Sequence, residues 1–242
     1  MKKHSSVLML LARSTIYRVL ALLVLLAVIE RVLFGRALPY GQFGEDGLKT
    51  CFSESYIVWA FGLYFLLLTA LLCTTGCAFG SRTGDTLRRL RISEKAVFLW
   101  QCGYNACCYL LLWAVQVGLA LYFCRMYTQA APESVTNQTV FLAFYRVPLL
   151  HSLLPLAHIS RWVRNFLLLA GLSITAAGVP YAQRRSERAA PVIALVSVAV
   201  VFQFVRDLSE SGSDVMLSVL SIVTATVTLI SVLGKEAAYD DA

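Results

Sequence analysis

Charge is what this chain has least of. Asp, Glu, Lys and Arg make up 14% of its 242 residues, against about 25% in a soluble domain. A surface so poor in ions excludes an ordinary water-soluble globule. Histidine is equally scarce, at three residues. His151 and His158 have Pro155 between them and no carboxylate beside them, and zinc needs three or four His, Cys or carboxylate ligands. No metal site is therefore expected. The stretch 80–85 has two glycines but neither the spacing nor the lysine of a phosphate-cradling loop. HExxH and GxSxG are also missing. Without a convergent nucleophile, base or metal set, neither enzyme chemistry nor a cofactor is expected. No internal repeat or low-complexity segment occurs.

What is present is long apolar sequence. Hydrophobic residues make up 58% of the chain and the mean hydropathy is +0.70. A bilayer core of roughly 30 Å needs about 20 mostly apolar helical residues per crossing. Runs of that kind lie at 16–34, 55–79, 97–124, 165–182, 189–205 and 215–233. Gly171, Gly178 and Pro180 are expected to break the fourth, and the fifth is short. The predicted fold is all-α: a polytopic membrane helical bundle of about six transmembrane helices, forming a single integral membrane domain over 1–242. Segment 140–162 is apolar but interrupted by Arg146, Pro148, His151, Pro155, His158 and Arg161. That pattern predicts an outer interfacial or re-entrant element and leaves both forms open. Outer loops are expected at 36–54, with Pro39, Gly41, Gly44 and Gly47, and at 126–139.

The net charge of +7 matters less than its distribution. With the N-terminus in the cytoplasm, six spans return the C-terminus there, and thirteen of the Lys and Arg residues fall inside against eight outside. Acidic residues divide six to eight, so the whole excess lies on the inner face. This is the positive-inside pattern. It predicts a multi-pass plasma-membrane protein with both termini cytoplasmic and basic loops held at anionic lipid, and it disfavours nucleic acid as a partner. The start Met1-Lys2-Lys3 precedes an apolar run that ends in Glu30-Arg31 without a small-x-small cleavage site, which predicts a retained first span. Glu30 is expected at a span end within reach of water, so no mid-depth acidic relay for proton coupling is apparent.

The seven cysteines form neither a disulfide framework nor a CxxC pair of zinc type. Most read as small packing residues. Cys51 and Cys124 share the outer side and can pair, though their spacing does not require it. In the third span, Gln101, Asn105, Cys108, Leu112 and Gln116 follow steps of four, three, four and four along one helix side. Buried amides need partners in hydrocarbon, so this face looks into the bundle, for interhelical bonding or for a wet cavity. Gln101, Asn105 and Gln116 are the candidate cavity-facing positions. Ser218, Ser221, Thr224, Thr228 and Ser231 line the last span as a helix seam.

The basic inner loop is the most pointed segment: Thr86-Leu87-Arg88-Arg89-Leu90-Arg91-Ile92-Ser93-Glu94-Lys95. Taken alone, it is a basic loop for anionic headgroups. It also resembles the loop before the third span in ABC-type export permeases of the second class, where a Thr-Leu-x-x-Leu-Pro-Ile/Val-Ser-Arg/Lys stretch contacts the ATPase. Thr86, Leu87, Leu90, Ile92 and Ser93 match, while Arg91 and Glu94 stand where that family has proline and a basic residue. The chain is similar, too, to small uncharacterised six-span membrane proteins of gut Firmicutes, which implies a bacterial plasma membrane. The permease resemblance implies transport with a separate ATP-binding subunit docking on Thr86, Leu87, Arg88, Arg89, Leu90, Ile92 and Ser93. It also implies two six-span units, as homo- or heterodimer, enclosing a path. The alternative is a non-transporting membrane scaffold or accessory protein.

Overall fold

A computed structural model describes residues 2–42, 47–75, 93–130, 139–156, 159–184 and 211–240. Among these the secondary structure is helical, without strands. The helices are α1 (Lys2–Ala37), α2 (Gly47–Glu54), α3 (Ile57–Thr74), α4 (Glu94–Ala130), α5 (Thr139–Arg146), α6 (Pro148–Leu153), α7 (Ile159–Arg184) and α8 (Ser211–Asp240). A 3₁₀ turn, Leu38–Gln42, follows α1.

Four helices are long and apolar enough to cross a bilayer, by length and composition: Ile57–Thr74, Glu94–Ala130, Ile159–Arg184 and, within α8, Asp214–Val232. They contain most of the expected second, third, fourth and sixth spans and are compatible with a multi-pass membrane protein. The expected first span, 16–34, lies inside α1 with Arg18, Glu30 and Arg31 and is not among the four. The expected fifth, 189–205, falls outside the described residues. Apolar side chains such as Val24, Val28, Leu63, Leu67, Ile222 and Val227 are exposed along α1, α3 and α8. That much outward apolar surface suits lipid rather than water.

Contacting pairs fix the helix directions. On α1 and α4, Thr15 meets Tyr104, Glu30 meets Gln116 and Phe34 stacks on Phe123, so these helices run parallel. Thr75 with Gln101 and Thr69 with Tyr109 make α3 antiparallel to α4. Glu94 with Arg184, Asn105 with Ser173 and Trp113 with Trp162 make α7 antiparallel to α4. Helices α7 and α8 run parallel: Arg164 meets Asp214, Gly171 faces Ser221 and Gly178 faces Thr228. Those pairs are seven residues apart on each helix, always at an offset of fifty.

That seam corrects one expectation. Gly171, Gly178 and Pro180 do not break the fourth span; α7 is continuous through all three. The glycines face α8, where even a Cβ would run into Ser221 or Thr228. Packing between helices in lipid rests on such close backbone approach. Pro180 lies in the last two turns and withholds only one N–H from the ladder.

Segment 140–162, expected as an outer interfacial or re-entrant element, covers most of α5, all of α6 and the start of α7. Its prolines divide it: Pro148 starts α6 after an extended Val147, and Pro155 precedes α7, which already includes Ile159 and Trp162. Leu149, Leu150 and Leu153 are 0–2% exposed, so α6 is packed into the bundle. The 36–54 loop contains the 3₁₀ turn and α2. There Gly41 and Gly47 lie so close to each other and to Tyr127 that neither could carry a Cβ unmoved, and the Tyr127 hydroxyl donates to the Gly41 carbonyl (3.1 Å). Phe34 packs between Phe52 and Phe123 beside them. The 126–139 connection is shorter than expected, since α4 continues to Ala130.

Candidate functional site

The polar groups of α4 form a buried ladder. Gln101, Asn105 and Gln116 are 0–1% exposed, with Cys108 and Leu112 buried on the same side. Gln101 Nε2 donates to the Thr75 carbonyl (2.7 Å), an acceptor left over where α3 ends. Asn105 Nδ2 donates to the Ser173 carbonyl on α7 (3.3 Å). Gln116 Nε2 donates to Glu30 Oε2 on α1 (3.0 Å). Two phenols extend the ladder: the Tyr104 hydroxyl lies 2.6 Å from Thr15 Oγ1, and the Tyr109 hydroxyl donates to Thr69 Oγ1 (3.0 Å). Each rung reaches a neighbouring helix, so α4 is the hub on which α1, α3 and α7 are registered. Among the described residues, all three amide oxygens and Glu30 Oε1 are buried without a hydrogen-bond partner. An unsatisfied buried acceptor costs about 1–3 kcal/mol.

Glu30 corrects the expectation of a water-reaching carboxylate. Its side chain is 0% exposed. The signal was legible: Val19, Leu23, Leu26, Glu30, Phe34 and Ala37 follow steps of four, three, four, four and three. Glu30 occupies a core position in that stripe, and its exposed neighbour Arg31 donates to the Tyr122 hydroxyl on α4 (3.2 Å).

A second polar cluster joins α6, α7 and α8. Arg164, 2% exposed, donates through Nη1 to Asp214 and through Nε and Nη2 to Asn165 Oδ1 (3.1 and 2.8 Å). Asn165 Nδ2 donates to the Ser152 carbonyl (2.8 Å), and Arg161 Nε lies 3.5 Å from the second Asp214 oxygen. Arg161 and Arg164, at and just beyond the segment expected on the outer side, are held by an acid fifty-three and fifty residues further on. At the opposite end, Arg184 pairs with Glu94 (3.2 Å).

Two adjoining apolar clefts lie between the helices. The inner one, about 30 Å³, is lined by Phe61, Phe65, Tyr109, Leu112, Leu168 and Leu172 among others, which is room for about two waters. An outer groove of about 310 Å³ lies on α4 and α7 between Leu110, Ala114 and Phe166. Trp113 and Leu169 line both, and Trp113 stacks on Trp162 at 6.3 Å. Gln101, Asn105 and Gln116 line neither cleft in this structure.

Of the expected docking residues, Thr86, Leu87, Arg88, Arg89, Leu90 and Ile92 fall outside the described residues. Ser93 is described: its Oγ accepts the Ala96 N–H (3.4 Å), making it the N-cap of α4. His158 is also outside. Cys51 and Cys124 are separate buried thiols. Cys51 donates weakly to the Ala37 carbonyl (3.6 Å), and burial pushes its thiol above the ordinary range against the opposing effect of a Gly41 backbone hydrogen bond. No protein-family model matches the chain, and no curated protein or solved structure is found similar to it.

Proposed function

We propose that the chain is a six-crossing, permease-like membrane subunit of an ABC-type exporter, driven by a separate ATPase. The observation that carries this reading is the pair of adjoining apolar clefts, because they offer an apolar or amphipathic molecule a way from the lipid-facing groove toward the bundle interior. At about 310 Å³ the groove is at the low end of small-molecule sites, and the inner cleft is a closed form of the path. Trp113 and Leu169, common to both, are the barrier between them. The six-crossing topology is supported by helix direction. Because α7 and α8 are parallel, Arg184 and Ser211 lie at opposite ends of the helix pair, and the apolar run 189–205 suits a crossing between them. In the same topology α1 crosses through 16–34, both termini are cytoplasmic, and the Glu94–Arg184 end faces the basic inner loop. Rigid-body rearrangement of the helices would alternate access, with no bond chemistry in this chain.

A second reading, an accessory or scaffold protein, is favoured by the ladder on α4. There the amides of Gln101, Asn105 and Gln116 spend their donors on interhelical contacts rather than on an aqueous path.

Co-purification decides between them. A tagged chain is expected to retain an ATPase from the membranes of its own host, and Arg88→Glu with Arg89→Glu to lose it while membrane levels stay unchanged. Retention of the ATPase by the doubly substituted chain would remove the docking claim. Absence of any ATPase with the unaltered chain would leave the scaffold reading.

A further inference from the structure

Glu30 and Gln116 between them have more acceptors than donors. Gln116 Nε2 donates to Glu30 Oε2 at 3.0 Å. Glu30 Oε1 and Gln116 Oε1 are both buried and find no partner among the described residues, and the two side chains are 0% and 1% exposed. One additional hydrogen, on Glu30 Oε1, would turn two orphan acceptors into a donor and its acceptor. An acid and a primary amide joined that way make two opposed hydrogen bonds.

Among the described residues no counter-charge supplies an alternative. The four arginines of α1, at 13, 18, 31 and 36, are all exposed, and Arg31 is engaged with the Tyr122 hydroxyl and ring. The elements packed on α1 are α2, α3, α4 and the 3₁₀ turn. Helix α3 and the turn carry no charged residue. The charges of α2, Lys49 and Glu54, are exposed. On α4 the only charges are Glu94, Lys95 and Arg125; the nearest to Gln116 in sequence is nine residues on, about 13 Å along the axis, and is exposed. The remaining titratable groups on these elements are tyrosines, cysteines and, at the far start of α1, Lys2, Lys3 and His4, at least twenty-six residues before Glu30. An ionised carboxylate buried without a cation carries a desolvation penalty that nothing offsets. A neutral acid bonded twice to an amide does not.

We propose that Glu30 and Gln116 form a proton-binding site: Glu30 carries a proton on Oε1 and donates it to Gln116 Oε1, while Gln116 Nε2 donates back to Oε2. The proton is taken from water, forming the O–H bond, and on release that bond breaks and the proton returns to water. Release leaves a carboxylate facing an amide oxygen inside a sealed α1–α4 contact. Water or a cation then has to enter, so proton occupancy and the closure of α1 on α4 are one equilibrium. This gives the chain an ionic input of its own, independent of any ATPase, and it stands whether or not the exporter reading does.

Infrared spectroscopy of the full chain in lipid bilayers at neutral pH tests it. The expected spectrum contains the C=O stretch of a hydrogen-bonded neutral carboxylic acid, lost in Glu30→Gln, which keeps the side-chain shape and an amide–amide pair. Identical carboxyl regions in the two proteins would overturn the proposal. Should Glu30→Gln fail to fold, dicyclohexylcarbodiimide, which adds to protonated carboxyls from the apolar phase, needs no variant. Peptide mass mapping of the unaltered chain is expected to find the adduct on Glu30 and to see it lost as the buffer is made alkaline. An unlabelled Glu30 in acid buffer, or a yield indifferent to pH, would sink the idea.

Discussion

Arg164 is the residue on which the α6–α7–α8 corner turns. Its guanidinium is buried and its donors go to Asp214 and Asn165. Such a pair adds little compared with a well-packed apolar substitute, but breaking it on one side leaves an uncompensated buried charge, at about 3–5 kcal/mol. Asp214→Ala is therefore expected to lower stability by about that amount, read as a fall in the thermal unfolding midpoint of the detergent-solubilised protein. The double change Arg164→Met with Asp214→Leu is expected to recover most of the loss. A single substitution as harmless as the double would show that the pair is not buried in the working protein. Spacing could not reveal this pair. An arginine near a span end ordinarily reaches the headgroups, and nothing local in the sequence points to an acid fifty residues away. Glu30 differs, because its place in the apolar stripe of α1 is readable from α1 alone. Its charge, and the neighbouring Arg31, argued for water more strongly than its position argued for burial.

At the scale of elements, the α7–α8 seam is the most closely packed contact. A Cβ on Gly171 would meet the Ser221 hydroxyl and, at 3.0 Å, its backbone carbonyl. The hydroxyl can turn but the carbonyl cannot. Gly171→Ala is expected to cost about 1–3 kcal/mol by overpacking, measured as detergent thermal stability. Gly118→Ala, with nothing within 4 Å of the added carbon, is expected to be neutral or to gain up to about 1 kcal/mol from helix propensity. Equal effects at both sites would mean that the seam is open. Apolar length made the helices of α3, α4, α7 and α8 legible, and the four-three-four-four spacing placed the buried face of α4 correctly. Sequence failed where one residue type serves two purposes. Gly and Pro signal a break in water, whereas in a bundle the same glycines let a neighbour approach and one late proline costs a single bond. The Ser and Thr residues of α8 were read as a seam, and Ser221 and Thr228 do face α7.

For the whole molecule, the decisive quantity is the number of crossings. Ser186→Cys and Ser209→Cys place nearly isosteric probes at the two ends of the connection between α7 and α8. A membrane-impermeant maleimide applied to intact cells is expected to label position 209 and to reach 186 only after the membrane is opened. Labelling of both from the same side would remove the crossing at 189–205 and with it the six-crossing topology. The charge bias predicts which side is which, while the helix directions require only that the two ends differ. Composition made the membrane class legible. It could not make the clefts legible, because they are built by residues from four separate helices and exist only once those helices are packed.

The fixed offset of fifty between α7 and α8 makes one helix a depth gauge for the other. A residue on α7 and its counterpart fifty positions later occupy the same level, whatever length of chain joins them. Residues added to or removed from that joining stretch leave the levels alone. One residue inserted inside α7 instead turns everything beyond it by about 100° and carries Gly178 off the seam.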